Sequence, residues 1–282
     1  MSKKMPLTIS SLTLGSECSF EKRVSVAAKA GFAGIGLTAE AYVDALAEGY
    51  SDEELLQILK KYQMKVTEIE CVQAWAAENR SYEEKFKEQV CFHMCHLFGV
   101  KQVNVALMES YSLAYMAEKL AQLCQRAGDL LIAIEPMPYS GIVDFATAKK
   151  LIQQSQANNV GILLDAWHWH RASQTFSELT AEDAQYIVSI QLNDAYKRPY
   201  APAILRDEAM HDRLAPGDGA IDLATFIAMI KKAGAEPSII GIEVVNDKLL
   251  SKGIETTARY TYEKTVALLK KYWPDIICYF FI

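Results

Sequence analysis

The chain has 282 residues, 51% of them hydrophobic and 23% charged, with a formal net charge of −6. That composition is ordinary for a globular protein in water, and the length suits two small domains or one α/β barrel. The acidic balance argues against a nucleic-acid partner, which normally calls for a basic face. No apolar run approaches the roughly 20 residues of a membrane-spanning helix. Met1-Ser-Lys-Lys-Met-Pro has no apolar stretch behind its lysines to make a secretory signal. Six cysteines, at 18, 71, 91, 95, 124 and 278, follow no framework spacing and read as reduced, buried thiols of a cytoplasmic protein.

Along the chain a strand followed by a helix recurs about every 30 residues. Strand 1 is Leu7-Thr-Ile-Ser-Ser-Leu, then a helix near 19–30 closed by Gly31, then strand 2 at Gly34-Ile-Gly-Leu-Thr38. Ser51 and Glu54 have the spacing of a capping box and open the next helix. Met64 to Cys71 alternates and forms strand 3; helix 82–98 leads to strand 4 at 103–107, and helix 112–127 to strand 5 at 131–135. A helix near 144–157 precedes strand 6 at 161–165, and one at 180–185 precedes strand 7 at 188–192. Strand 8, at 239–243, comes only after an insertion that holds Tyr196-Lys-Arg-Pro-Tyr-Ala-Pro and His211-Asp-Arg213. A long loop of this kind in a compact fold is usually functional. Helices at 222–233 and 255–271 complete the pattern.

Eight such units without a linker predict one (β/α)8 barrel over residues 1–282. A doubly wound open sheet would normally carry a glycine-rich turn after strand 1, where this chain has Thr13-Leu-Gly-Ser-Glu.

The centre of the pattern is Gly161-Ile-Leu-Leu-Asp165-Ala-Trp-His168. An apolar run suits a strand buried on both faces, and a charged residue at its carboxyl end stands where such folds place their chemistry. Glu135, Gln191 and Glu243 end strands 5, 7 and 8 in the same manner. Consecutive barrel strands bring these side chains to one half of the mouth. Crowded carboxylates repel unless a cation neutralises them, and an all-oxygen set suits a hard ion such as Mn²⁺ or Mg²⁺. The alternative is a set of salt-bridged strand ends, for which Arg213 is the main basic partner in reach.

Ile-Glu135-Pro, Leu-Asp165-x-x-His168, Gln191, Arg213-x-x-Pro-Gly-Asp-Gly-x-Ile-Asp222 and Ile-Glu243-Val together resemble the xylose isomerase-like barrels, a group of sugar isomerases, epimerases and related dehydratases. The resemblance covers essentially the whole chain and is strongest from Glu135 to Asp247. It implies one divalent ion (Mn²⁺ or Mg²⁺, with Co²⁺ and Zn²⁺ as alternatives) on Glu135, Asp165, Gln191 and Glu243. It also implies acid/base roles for Glu135 and Glu243, and contacts from His168 and Arg213 to a sugar or cyclic keto-polyol. A carbonyl and neighbouring hydroxyl on such a cation acidify the adjacent C–H. A carboxylate can then take the proton while Arg213 or His168 steadies the resulting enediolate oxygen.

The chain departs from the family at two places. Many epimerases of the group carry histidine on strand 7, whereas Gln191 matches hydroxypyruvate isomerase and the dehydroshikimate dehydratases. Strand 3 lacks the arginine expected for a carboxylated ring. The leading expectation is therefore an isomerase or epimerase, with a dehydratase of inosose or dehydroshikimate as alternative. A DNA-repair enzyme of the endonuclease IV kind is remote, because strands 3 and 4 offer Glu70, Gln73, Asn104 and Met108 in place of histidines. A binding barrel without catalysis is the remaining class.

Other features weigh less. Cys91-Phe-His93-Met-Cys95-His96 lies on an outer helix and reads as buried thiols rather than a zinc site. His170 has the wrong spacing to replace His168, and His211 is either a polar contact or a loop residue. Trp75 and Trp167 are expected to pack rather than to wall a pocket. The apolar tail 276–282 is expected to fold back onto the barrel, with burial in a second subunit, and so a homo-oligomer, as the alternative.

Overall fold

The computed structural model of the chain describes residues 5–175, 179–198 and 201–276. Eight parallel strands close on themselves in chain order: β1 Leu7–Ser10, β2 Gly34–Thr38, β3 Lys65–Val72, β4 Gln102–Val105, β5 Leu131–Ile134, β6 Val160–Asp165, β7 Ile187–Leu192 and β8 Ile240–Ile242. Closure is direct, with Leu7, Thr8 and Ile9 in register with Ile240, Gly241 and Ile242. Around them run α1 Phe20–Ala30, α2 Ala39–Ala47, α3 Asp52–Lys61, α4 Tyr82–Phe98, α5 Leu113–Ala127, α6 Phe145–Ser155, α7 Ala166–Arg171, α8 Leu205–His211, α9 Leu223–Ala233, α10 Asp247–Leu250 and α11 Ile254–Tyr272. The (β/α)8 barrel expected from the repeat is the fold observed.

Local chemistry sets the helix ends. The capping box expected at Ser51 and Glu54 forms both of its bonds, and Ser81 with Glu84 forms a second at the start of α4. Differences from the expected elements have local causes. Ala39–Ala47 follows β2 almost without a loop, capped by the Thr38 side chain on Ala41 N, so its start has no separate turn signal. Residues Ala181–Tyr186 coil as a 3₁₀ turn instead of an α-helix. The insertion before β8 is not structureless, since it contains α8. Its Pro199 and Tyr200 lie outside the described residues, as do residues 277–282 of the tail. Ile276 is buried, and its carbonyl accepts from Met5 N at 2.8 Å. No helix among the described residues is long and apolar enough to cross a membrane.

Two kinds of interior result. Between strands and helices the packing is apolar, with Ile9, Ile35, Ile69, Val103, Ile132 and Ile190 fully buried. Inside the barrel it is polar. Gln102 Nε2 on β4 donates to Ser189 Oγ on β7 at 2.8 Å, and Asn104 Nδ2 donates to Glu68 Oε1 on β3, also at 2.8 Å. Ser10 Oγ on β1 donates to Glu70 Oε2 at 3.0 Å. Buried polar groups need such partners, because an unmade bond there costs the full desolvation of the group.

Candidate metal and catalytic centre

Glu135 follows the last residue of β5, Asp165 and Gln191 stand in register at the ends of β6 and β7, and Glu243 follows β8. One carboxylate oxygen from each of Glu135, Asp165 and Glu243 lies within 4.8 Å of the others. Asp165 also caps α7. Its Oδ1 accepts from His168 N at 2.8 Å, which turns the histidine toward the cluster. Its Oδ2 accepts from Asn193 Nδ2 at 2.5 Å and from Arg213 Nη1 at 3.0 Å. His168 Nε2 stands 3.3 Å from Glu135 Oε1 and 3.3 Å from Arg213 Nη2, so it can donate to the first or accept from the second, but not both at once.

Arg213 departs most from its expected setting. The resemblance implies a substrate contact in the mouth loop, yet Arg213 is 2% exposed and held by ion pairs. Its Nη1 bridges Asp165 Oδ2 and Glu243 Oε2, each at 3.0 Å, and its Nε donates to the Ala209 carbonyl of α8 at 2.8 Å. The guanidinium carbon lies 5.5 Å from the centre of the Trp167 ring, and that of Arg171 lies 5.7 Å from the same ring. Trp167 is thus a packed partner of two arginines, as its expected packing role requires. Burial works against the charge of Arg213, but Glu243 and Asp165 reverse the effect and hold it protonated. Burial pushes the Glu243 carboxyl up to about 7 although Arg213 pulls it down, with Glu135 and Asp165 adding repulsion.

The residues fit a divalent cation on two counts. Three carboxyl groups cluster beside a single guanidinium, so that with all three ionised the buried site would carry an excess of about two negative charges for a cation to balance. Gln191 Oε1 is buried and has no hydrogen-bond partner. Neutral amide oxygen and carboxylate oxygens are the donors that a hard ion takes.

Glu135, His168, Gln191, Arg213 and Glu243 line a cavity of about 220 Å³. Glu70 and Gln73 from the end of β3 stand in it too, with Tyr139 beside His168 and Arg206 and Met210 of α8. Lys87 also lines it, paired with Glu40 at 2.6 Å. Sequence reasoning named Glu70 only as a strand end and missed Glu68, Asn193 and Tyr139. Burial, then the neighbouring Glu68 and Glu243 charges, raises the Glu70 carboxyl well above its ordinary range. The Arg-x-x-Pro-Gly-Asp-Gly motif has a structural reason. The Asp194 carboxylate accepts from the backbone N–H of Ala195, Gly217, Gly219 and Ile221 at 2.8 to 3.0 Å. A Cβ at Gly219 would come within 2.3 Å of the Ala195 carbonyl, so only glycine allows the approach.

The lesser candidates lie apart. Cys91 and Cys95 are buried, burial raises both thiols to about 12, and among the described residues α4 gathers no metal-binding group. Cys71, by contrast, is only partly buried and borders the cavity. Trp75 is buried in the core, and His211 pairs with Asp247 at 3.1 Å on the surface. His170 does not line the cavity.

Comparison with known proteins agrees with this architecture. Inosose isomerase of Bacillus licheniformis is 28% identical over 206 residues, covering 69% of this chain and 71% of that protein. 3-Dehydroshikimate dehydratase of Pseudomonas aeruginosa is 26% identical over 183 residues, which is 61% of this chain but 28% of that protein. A solved structure of the IOLI protein with a bound zinc atom superposes with a TM-score of 0.83 at 20% identity, covering 95% of this chain and 99% of that one, and so shares the fold. The model of the xylose isomerase-like TIM barrel matches residues 24–272, and the chain belongs to that family.

Proposed function

We propose that this protein is a divalent-metal-dependent isomerase or epimerase of small keto-polyols that works by α-proton abstraction. The reading rests chiefly on the three convergent carboxylates, two of them glutamates, beside a buried guanidinium and an imidazole at a cavity. Glu135, Asp165, Gln191 and Glu243 would hold the cation. When bound, such an ion polarises a carbonyl oxygen and acidifies the neighbouring C–H. The chain's own groups supply the rest. Glu135 or Glu243 removes the proton from carbon, since each brings a carboxylate to the cluster that lines the cavity. Arg213 and His168 stabilise negative charge as it develops on substrate oxygen, in a cavity that Tyr139 also lines. The inosose isomerases among the relatives favour a cyclic keto-polyol as substrate.

A dehydratase reading has one observation in its favour besides its relative: Arg206 brings a cation to the cavity that a carboxylated ring could use. Against it, the other two cations of the cavity, Lys87 and Arg213, are already paired, and Glu70 presents a carboxyl to the same space. A panel of inososes, ketoses and 3-dehydroshikimate with Mn²⁺ in D₂O, followed by NMR, separates the two. Deuterium entering next to the carbonyl with retention of all hydroxyls is the expected result. Loss of water from 3-dehydroshikimate would move the protein to the dehydratases, and no exchange with any member would overturn both.

A further inference from the structure

A side-chain amide is an ambiguous metal ligand, since only its oxygen has a lone pair for the ion and a half turn presents NH₂ instead. Whatever fixes the terminal group of Gln191 therefore decides whether it can serve. Its Nε2 donates across the barrel to Glu68 Oε1 at 3.3 Å. The same Oε1 accepts from Asn104 Nδ2 at 2.8 Å, and Asn104 Oδ1 accepts from Gln102 Nε2 at 3.0 Å. Gln102 Nε2 also donates to Ser189 Oγ at 2.8 Å, two residues before Gln191 on β7, so the network returns to the strand it serves. Every member is buried. Gly241 leaves the space for it: a Cβ there would stand 3.0 Å from Gln191 Cγ and 3.1 Å from Glu68 Oε2. Glu68 Oε1 accepts from both amides whether or not Oε2 carries a proton, so the orientation does not depend on ionisation. With the nitrogen so held, the unpartnered Oε1 of Gln191 is the atom left for the carboxylate cluster.

We propose that Glu68 is a positioning residue that turns the Gln191 amide oxygen toward Glu135, Asp165 and Glu243, making a neutral side chain the fourth oxygen donor for the cation. This rests on the reading of Gln191 as a metal ligand given above. Partners of this kind typically contribute about 10–100-fold in metal affinity.

Mn²⁺ titration of the metal-free protein, followed by electron paramagnetic resonance, tests it without reference to activity. Glu68→Met should weaken Mn²⁺ binding by about 10–100-fold, and Glu68→Gln, whose carbonyl can take over the accepting position, by much less. A carboxylate has an oxygen on either side and needs no orienting. In a Gln191→Glu background, Glu68→Met should therefore cost little, an outcome that mere damage to the barrel core would not give. Equal affinity of wild type and Glu68→Met overturns the positioning role, and so does an equal loss in both backgrounds. Wild type that binds no Mn²⁺, or Gln191→Ala that binds as tightly as wild type, overturns the ligand set and the proposal with it. Should Glu68→Met not fold, a crystal structure of Mn²⁺-soaked wild type decides. Gln191 Nε2 on Glu68 with Oε1 on the ion supports the proposal, and an amide turned away from Glu68 overturns it.

Discussion

The two halves of the barrel mouth come from the same strand–helix unit and put their polar groups to different uses. In the arc β5–β8 the oxygens stand at or just past the strand ends, where they converge on Arg213 and the cavity. In the arc β1–β4 most of them sit within the strands, where Glu68, Asn104 and Gln102 bond to one another and Gln102 and Glu68 reach across the lumen to Ser189 and Gln191. Glu70 stands at the border, tied to Ser10 on one side and open to the cavity on the other. An advance of two residues along a strand, as from Glu68 to Glu70, therefore separates a group engaged in the scaffold from one available to a ligand. Only the second kind should respond to substrate, and the two should respond differently to loss of charge.

The largest effect should come from the β5–β8 arc. Glu→Gln keeps the size and one oxygen for the ion while removing the base. One of Glu135→Gln and Glu243→Gln should retain Mn²⁺ yet lose exchange of the substrate α-proton by about 10²–10⁴-fold. Wild-type exchange in both would remove the glutamates from the chemical step and leave His168 as the group to test.

Next comes Arg213. It lies in the insertion before β8, yet it is buried. Arg213→Ala leaves Asp165 and Glu243 buried without their shared cation, a loss of about 3–5 kcal/mol for pairs of this kind. Denaturant unfolding in the presence of a chelator should show it, and added Mn²⁺ should recover part. An unchanged midpoint would mean that solvent reaches the two carboxylates in solution.

The smallest effect is a slope in pH. In the folded protein burial raises Glu68 to about 8 and Glu243 to about 7, against 4.5 for an ordinary glutamate. Between pH 4.5 and those values the native state keeps protons that the unfolded chain has released, so these groups make stability fall as pH rises across that window. The chelated protein should melt lower at pH 8 than at pH 5, and Glu68→Gln should flatten the difference. A melting temperature that rises over the same interval in wild type, with no change in the variant, would place Glu68 in contact with water.

How much of this the residues reveal unaided differs between the arcs for the same physical reason. An apolar run that stops at Asp165 or Glu243 marks both strand and site, because nothing else accounts for a charge there. Along β3 the alternation of Glu68 and Glu70 with Ile69 is the ordinary sign of a strand with one wet face. Here the polar face turns into the barrel, a fact settled by closure of the sheet and by Asn104 and Gln191 from other strands. The burial of Arg213 is hidden in the same way. It depends on α8 lying over the mouth and on Val245 O, which accepts from Arg213 N at 3.0 Å.

The clasp around Asp194 has a consequence for how such a barrel can be altered. Asp194 and Leu214 exchange two backbone bonds of 2.8 Å, so the excursion between them leaves and re-enters the barrel at a single closed neck. The neck fixes Arg213 on one side, while α8, beyond it, supplies Arg206 and Met210 to the cavity. Once a loop's ends are joined, doubling its length costs only about 0.6 kcal/mol in closure entropy. Side chains of α8 that face the cavity, such as Arg206 and Met210, can thus be exchanged to admit a different substrate, whereas the α8 backbone at Ala209 must stay in place because its carbonyl holds Arg213.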